Sequence, residues 1–299
     1  MSPYTYLHVK TYAVVSAQPV ASSAPRHHTR VGSAVRSMSF FLFFFLLYLP
    51  LGVGLGQRLF LWPLVTLFPS HRTRYVRAWL RLHARVLLIL ARWLVDVRVF
   101  MRGRLPAEPA IILMNHQSVL DILLVLDQVN GPQVLIPTRD RYFRGIPGIS
   151  QLLRIARFPR VQQGKKGSAS DLSGIAEAAD KVQRGDNSFF IFPEGHRTQD
   201  GQIQRFMTRG LKLTLTRAKR PVYCIVADGM WHARTFADST LRFAGTTARA
   251  TIIGPFDPPP DEALDAFIDM LRQRMIEALE QLRTLSDDDV GASFRILPG

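Results

Sequence analysis

The sequence has a single cysteine and no acidic residue in its first third. Cys224 stands alone, so the chain can form neither an intramolecular disulfide nor a zinc site built on several cysteines. No Asp or Glu precedes Asp96. There is also no Gly-x-Ser-x-Gly segment of the kind that carries the serine nucleophile of a lipid hydrolase. These absences favour a reducing compartment and catalysis without such a serine.

Basic residues outnumber acidic ones, 38 to 23, and the formal net charge is +15. A charge of this size predicts an anionic partner, which is a nucleic acid, a membrane surface or a phosphorylated substrate. The arginines between residues 72 and 92 border very apolar segments rather than a polar surface with exposed aromatic residues. This distribution favours an anionic membrane surface over nucleic acid.

Residues 1–38 are rich in Ser, Thr and His and show no sustained periodicity, which predicts a disordered tail. The lack of acids also fits an organelle-targeting segment, and a start of translation at Met38 is a third reading. A stretch without charge follows from Ser39 to Gln57, and a second apolar stretch runs from Leu59 to Phe68. Since about 20 apolar residues cross a bilayer as a helix, these stretches predict either one membrane span or a bent, inserted hairpin. A buried core helix is the alternative.

Four arginines then recur at helical spacing, at positions 74, 77, 81 and 85. Val76, Leu80, Leu87 and Leu94 fall on another side, with Trp79 and Trp93 beside them. This pattern predicts a basic helix in the bilayer interface, where the arginines meet lipid phosphates, or an ordinary helix with a solvated basic face. Residues 39–95 are therefore predicted to be the membrane-associated part.

Residues 96–257 alternate short apolar strands with amphipathic helices. Strands are predicted at 97–100, 110–114, 134–136, 188–192, 222–226 and 248–253, and helices at 119–129, 171–184 and 211–219. Such alternation predicts an α/β fold with a mainly parallel sheet flanked by helices. Pro258-Pro259-Pro260 reads as a spacer before a helix from Asp261 to about Arg283, so residues 258–299 are predicted as a C-terminal helix and tail.

His116 follows directly on a predicted buried strand, the place where active sites of parallel sheets gather. Asp121 comes five residues later, and if the following helix begins as early as Gln117, Asp121 sits about one turn into it. Its carboxylate can fix the histidine tautomer and leave the other nitrogen free as a general base. Asn115 either holds the turn or binds substrate. A histidine that merely packs in the turn is the alternative.

A second polar cluster, Phe192-Pro193-Glu194-Gly195-His196-Arg197-Thr198, follows another predicted strand and so falls on the same sheet edge. Gly195 lets the backbone approach a ligand closely, and Arg197 can grip a phosphate with two hydrogen bonds. A salt bridge between Glu194 and Arg197 is the purely structural alternative. His116, His196 and Glu194 have no recognised metal-site spacing, and no metal is predicted.

These two segments resemble motifs of the glycerolipid acyltransferase family, the group that contains 1-acylglycerol-3-phosphate acyltransferase. Asn115 to Asp121 matches the family's Asn-His-four residues-Asp motif, and Phe192 to Thr198 matches Phe-Pro-Glu-Gly-Thr-Arg-Ser, with His196 in the threonine place. The resemblance covers about residues 95–255. It implies an O-acyltransferase in phospholipid biosynthesis that is attached to the membrane, with the catalytic domain on the cytoplasmic face.

The resemblance also implies the roles of the residues. His116, oriented by Asp121, removes the proton of an acceptor hydroxyl as it attacks an acyl thioester. Glu194, Gly195, Arg197 and Thr198 position the acceptor head group. The donor is acyl-CoA or acyl-ACP, so acyl carrier protein is an implied partner, and no further cofactor is needed.

Two departures from the family pattern bear on the acceptor. The second family motif, near Ile-Pro-Val-Asp-Arg-Gly, falls on Pro159 to Gly164 and puts Gln163 where the family's phosphate-binding arginine stands, with Arg160 as a nearby substitute. A neutral amide does not replace a guanidinium as a phosphate anchor. The fourth motif puts Cys224 in the place of a proline, which predicts a buried core residue.

The acceptor is therefore predicted as lysophosphatidate or as a lysolipid that carries a larger head group. Other hydroxyl lipids, a lipid hydrolase and a non-catalytic membrane-binding protein are the further alternatives. Three more arginines, Arg139, Arg141 and Arg144, precede an Ile-Pro turn in a place where the family carries a basic residue, and they face either substrate phosphates or solvent.

Overall fold

The structure, a computed structural model, describes residues 30–161 and 170–298. Its N-terminal part is one long helical rod followed by a second helix. Helix α1, Arg30–Phe43, continues through π-helical turns at Phe44–Leu55 and Gln57–Leu61 into α2, Trp62–Leu67. Helix α3, Arg72–Val95, then runs back along the rod, and Tyr48 Oη lies 2.6 Å from His83 Nδ1 across the pair.

The rod corrects the predicted end of the N-terminal tail at residue 38. Its last nine residues, 30–38, are helical and packed on the α/β domain, while residues 1–29 lie outside the described part of the chain. Ser33 Oγ donates to Ala244 O at 3.1 Å, and Ser37 Oγ accepts from Ala244 N at 2.8 Å. Ser33 and Ser37, which suggested a solvated tail, thus form hydrogen bonds with the backbone of Ala244 in the α/β domain.

The rod places the two predicted apolar stretches in one continuous helix, as the single-span prediction requires and the bent hairpin does not. Val31–Leu67 forms a single helix that is long enough and apolar enough to cross a membrane. An 18-residue window within it has a mean hydropathy of 2.1, and 28% of that window is buried inside the protein. Pro50 lies inside it without ending it. Proline removes an α-helical hydrogen bond, and π-helical turns occupy this stretch in place of a break. The two apolar stretches are therefore consecutive parts of one rod.

Helix α3 differs from the predicted interfacial helix in where its arginines point. Arg77 donates to Asn130 O at 2.9 Å and Arg85 donates to Asp127 Oδ1 at 2.8 Å, so both bind the α/β domain instead of lipid phosphates. Leu94 is exposed together with Trp93, whereas Val76 and Leu80 are buried. The acceptors for these arginines lie more than forty residues away along the chain, which is why helical spacing alone assigned them to lipid.

The α/β domain contains a seven-stranded and a two-stranded sheet. The strands are β1 Arg98–Arg102, β2 Ile111–Met114, β3 Val134–Leu135, β4 Thr138–Arg139, β5 Arg160–Val161, β6 Ser188–Ile191, β7 Val222–Asp228, β8 Thr247–Phe256 and β9 Arg295–Leu297. The further helices are α4 Asp121–Gln128, α5 Ile149–Ile155, α6 Ser170–Arg184, α7 Thr208–Arg217, α8 Phe236–Arg242, α9 Leu264–Thr284 and α10 Asp287–Ser293.

The large sheet has the order β3-β6-β2-β7-β8-β1-β9. Its pairs are parallel except β7–β8 and β1–β9, so the sheet is mainly parallel as predicted. Successive strand residues alternate between two hydrophobic clusters: Ile112 and Phe190 belong to the cluster under α3 and α4, and Ile111 and Phe189 to the cluster under α6, α7 and α9. The sheet is thus covered on both faces, and its strands are apolar throughout.

The C-terminal region is part of this fold. Strand β9 pairs with β1, and Leu271 and Met275 of α9 are fully buried in the second cluster. The boundary placed at residue 257 therefore does not separate two structural units. Cys224 sits in the middle of β7 and is fully buried, and this burial raises the pKa of its thiol. Its position fits the predicted core residue.

Candidate active site

The candidate active site lies at the carboxyl edge of three adjacent strands, β6, β2 and β7. His116 comes just after β2, and its Nδ1 is 2.9 Å from Asp121 Oδ2. The imidazole ring stacks on Phe192, which follows β6, with ring centroids 3.7 Å apart and planes at 15°. The side chain of His116 is 13% exposed. The hydrogen bond from Nδ1–H to the Asp121 carboxylate leaves Nε2 as the ring nitrogen with the free lone pair.

Asp121 is the first residue of α4, so the helix begins two residues after the predicted start at Val119 and about one turn after Gln117. The turn before the helix wraps around the carboxylate: Oδ2 accepts from Gln117 N at 2.6 Å and from Ser118 N at 2.8 Å, besides its bond to His116. Asp121 is fully buried. The backbone donors hold the carboxylate in one orientation, and through it they orient the imidazole.

Glu194 has a different position from the predicted substrate-binding one. It is fully buried, and its oxygens accept from two backbone groups, Oε1 from His116 N at 2.9 Å and Oε2 from Gln204 N at 2.8 Å. Burial raises the pKa of its carboxyl above the ordinary value, against the effect of these two hydrogen bonds. Glu194 therefore positions the backbone of His116, and both of its carboxylate oxygens are engaged by backbone donors.

We expect Glu194→Gln to lower both stability and activity. The amide would point an NH2 group at one of the two backbone N–H groups, and a buried donor left without an acceptor costs about 1–3 kcal/mol. The raised pKa means that the folded state holds the proton of Glu194 more tightly than the unfolded state does. The wild-type protein therefore loses free energy of unfolding as the pH rises above 4.5, the ordinary pKa of a glutamate, and the glutamine variant does not. The gap in melting temperature between variant and wild type should therefore narrow with rising pH in thermal unfolding of the detergent-solubilised protein.

The matched control is Glu262→Gln, because Glu262 is exposed. We expect this variant to keep the wild-type melting temperature at each pH. An equal effect of the two substitutions would contradict the positioning role of Glu194.

Asn115 and Thr198 also have structural positions instead of the predicted contact with substrate. Asn115 is buried and bonds Ala227 of β7 twice, from Nδ2 to the carbonyl and from the backbone N–H to Oδ1, both at 2.8 Å. This matches the alternative in which Asn115 holds the turn. Thr198 is buried, its N donates to His116 O at 2.8 Å, and its hydroxyl lies 2.8 Å from Gln202 O. Asn115 thus links the end of β2 to β7, and Thr198 links the segment after β6 to the end of β2.

Gly195 and Arg197 are closer to what the motif predicts. Gly195 has φ +70°, and a Cβ there would collide with the sulfur of Met207, so this position requires glycine. Arg197 is half-buried and donates to Arg234 O at 2.7 Å, while its Nε is buried without a protein acceptor among the described residues. Glu194 is not its ion-pair partner, so the predicted structural salt bridge does not form. The Arg197 guanidinium keeps donors for an anionic ligand.

Two arginines, Arg139 and Arg160, lie in the two-stranded sheet, where the second family motif begins. Strands β4 and β5 pair Thr138 with Arg160, and the Arg160 guanidinium lies 4.5 Å from the ring centroid of Phe143, with Nη1 3.7 Å from Asp140 Oδ1. Arg139 Nη2 is 3.5 Å from Gly195 O, which ties this sheet to the second cluster. Gln163 lies outside the described residues. The part of the chain that is described holds no group of three or more His, Cys, Asp or Glu side chains placed to bind a metal.

A buttress behind the catalytic turn was missed at the sequence level. Gln117 Nε2 donates to Asp228 Oδ1 at 3.2 Å, and Gln117 Oε1 accepts from Met230 N at 3.0 Å. Arg283 of α9 donates to both oxygens of Asp228, at 3.0 and 3.1 Å. Asp228 was detectable, since an acid that ends a buried strand falls on the same edge as His116. Arg283 was not, because nothing in its own helix points to the site.

We expect Arg283→Met to lower kcat about tenfold and to leave KM within twofold of wild type. Loss of the guanidinium frees Asp228 and loosens the turn that orients His116, and misplacement of a catalytic group by a fraction of an ångström lowers the rate without loss of substrate contacts. Steady-state kinetics of acyl transfer measure the effect. Arg274→Met on the same helix is the control, and an equal loss in both variants would contradict the buttress role.

The sequence and fold were compared with known proteins. The Acyltransferase family model matches residues 96–228. The 1-acyl-sn-glycerol-3-phosphate acyltransferase alpha of Homo sapiens is 26% identical over 221 residues, 72% of this chain and 75% of that protein. The 1-acyl-sn-glycerol-3-phosphate acyltransferase of Cocos nucifera is 24% identical over 174 residues, 58% of this chain and 54% of that protein.

Among solved structures, the 1-acyl-sn-glycerophosphate (LPA) acyltransferase PlsC of Thermotoga maritima superimposes with a TM-score of 0.65. The match covers 87% of this chain and 100% of that chain at 21% identity, and it confirms the fold class. Together with the family match over both motifs, these findings confirm the resemblance: residues 96–228 match an acyltransferase domain, and the chain is similar to glycerolipid acyltransferases.

Proposed function

We propose that the protein moves a fatty acyl group from an acyl thioester to the hydroxyl of a lysophospholipid, with 1-acyl-sn-glycerol-3-phosphate as the acceptor. The observation that carries the proposal is the pairing of His116 Nδ1 with the buried carboxylate of Asp121 at 2.9 Å, beside the Phe192–Thr198 loop. Relatives that are 1-acyl-sn-glycerol-3-phosphate acyltransferases support this acceptor.

The reaction needs one base and no covalent enzyme intermediate. Nε2 of His116 takes the proton of the acceptor hydroxyl as the oxygen attacks the thioester carbon, and a C–O bond forms. The tetrahedral intermediate then collapses, the C–S bond breaks, and the imidazolium returns the proton to the leaving thiolate. Asp121 stabilises the imidazolium between the two steps. Arg197, and Arg160 with its exposed guanidinium, supply cations for the acceptor phosphate.

The donor is acyl-CoA or acyl carrier protein, and both carry the same thioester. The cationic surface, with its net charge of +15, is complementary to either donor and to an anionic membrane surface. The catalytic domain lies on the cytoplasmic face. This placement rests on the family resemblance, because basic residues flank both ends of the apolar rod and the positive-inside rule gives no orientation.

A panel of acceptors tests the proposal on the purified full chain. Labelled acyl-CoA is supplied with lysophosphatidate, with lysophosphatidylcholine, or with no lipid, and labelled phospholipid and free acid are quantified. We expect transfer to lysophosphatidate at least tenfold faster than to lysophosphatidylcholine. Transfer only to the choline lipid would overturn the acceptor and favour the reading from Gln163, and release of free acid without acceptor would indicate a hydrolase.

A further inference from the structure

A cleft of about 820 Å³ opens between the N-terminal helices and the α/β domain, and its lining includes none of the residues of the candidate active site. On one side are α2 and the first residue of α3, and on the other are the turn 145–148 and α5. The cleft is lined by Arg58, Trp62, Val65, Thr66, Arg72, Gly145, Ile146, Pro147, Gly148, Ser150, Gln151, Arg154 and Ile155. None of these residues is acidic, and no role in acyl transfer has been derived for any of them.

The three arginines of the cleft are held in place by neutral oxygens. Arg72 Nη2 donates to Ile155 O at 2.6 Å, Arg154 Nη1 to Phe143 O at 2.8 Å, and Arg58 Nε to Gln151 Oε1 at 3.3 Å. In the described part of the chain, no carboxylate forms a salt bridge with any of them. Each guanidinium has five N–H donors, so most of them remain for a ligand.

An anion in the cleft would stabilise the positive charge of Arg72, which no carboxylate of the described residues neutralises. Burial lowers the pKa of Arg72, and the neighbouring charge of Arg157 lowers it further. Three guanidinium groups line one opening, and a phosphate is the anion whose geometry matches several guanidinium groups at once.

The surroundings of the cleft indicate the source of the phosphate. The cleft opens beside the end of the apolar rod, where Leu59, Phe60, Trp62, Leu67 and Phe68 are exposed. Trp62 lines the cleft and is 55% exposed. Tryptophan at the end of an apolar helix, next to arginines, is typical of the level of lipid head groups. A ligand there would meet cations at its head and apolar side chains along its tail.

We propose that this cleft binds one anionic membrane phospholipid, with its phosphate between Arg58, Arg72 and Arg154 and its glycerol and acyl portion along Trp62 and the rod. The site is separate from that of the acyl acceptor, and the proposal does not depend on acyl transfer. Such a lipid would fix the rod against α5 by bridging the two.

Native mass spectrometry of the full chain in a neutral detergent tests this. The protein is titrated with phosphatidylglycerol, with phosphatidylcholine, or with phosphatidylglycerol plus inorganic phosphate. We expect one phosphatidylglycerol to be retained at least fivefold better than phosphatidylcholine, and Arg58→Gln/Arg154→Gln to lose this preference. Arg58→Lys/Arg154→Lys should keep most of it, because the charge remains.

The control variant Arg209→Gln/Arg274→Gln removes the same charge from two exposed arginines of α7 and α9, on the other face of the sheet. It should keep the wild-type preference. Equal retention by the cleft variant and wild type would overturn the proposal, as would an equal loss in the control. Displacement of the lipid by millimolar inorganic phosphate would overturn the lipid as the source and assign the cleft to free phosphate.

Discussion

Replacement of His116 by alanine is expected to lower the rate of acyl transfer by about 10³ to 10⁴, since general base catalysis by a positioned side chain contributes roughly 10² to 10⁴ and the imidazole also returns the proton to the leaving group. The ring is mostly buried on Phe192, and among the described residues Asp121 is the one side chain that forms a hydrogen bond with it. The fold should therefore persist. Transfer from labelled acyl-CoA to lysophosphatidate, measured with purified full-length protein, gives the rate.

The control for this variant is His232→Ala. His232 is exposed and follows β7 at the same edge of the sheet, but it has no contact with the catalytic turn among the hydrogen bonds of the described residues. We expect less than a threefold change. A His116→Ala protein that keeps more than about a tenth of the wild-type rate would contradict the role of His116 as the base.

The second large effect is expected for Asp121→Asn, with a loss of about 10² to 10⁴ in kcat. The amide oxygen can take the place of Oδ2 and still accept from Gln117 N and Ser118 N, so the turn should keep its shape. The neutral amide, however, no longer stabilises the imidazolium that forms when His116 takes the proton. Activity should fall far more than the melting temperature.

A double variant separates this explanation from a general loss of structure. If Asp121 acts through His116, then His116→Ala/Asp121→Asn should be no slower than His116→Ala alone, because groups that act as a unit are not additive. Losses that multiply would show that Asp121 contributes independently of His116, and the proposed pairing would be wrong.

The catalytic pair was predictable because it is local. Five residues separate His116 from Asp121, and a single turn after a buried strand brings them within 2.9 Å. Even so, the start of α4 was misplaced, because the backbone of Gln117 and Ser118 bonds the Asp121 side chain instead of forming the first helical turn. A side chain that accepts a backbone N–H competes with the helical hydrogen bond of that group, and the hydrophobic periodicity does not show which of the two bonds forms.

The roles of Asn115, Glu194 and Thr198 were not predictable in the same way. All three polar residues stand in motifs at the correct edge, yet their side chains bond backbone groups, and that of Thr198 bonds a carbonyl only four residues along. A sequence shows that a polar residue is near a site, but its orientation depends on which backbone donors and acceptors the fold brings next to it. The same holds for Ser37 and Arg77, which found partners 207 and 53 residues away.

The sequence by itself determined the class of fold, the apolar character of the N-terminal part, the family resemblance and the two motif-bearing turns, because hydrophobic periodicity and short-range spacing act over a few residues. Only the tertiary structure decided which polar side chains bond the backbone around His116 and which keep hydrogen-bonding groups for a ligand. It made Glu194 a positioning residue, joined the C-terminal helix to the catalytic turn through Arg283, and gathered three arginines from distant segments around one cleft. These are long-range contacts, and their formation depends on the whole sheet and its packed helices.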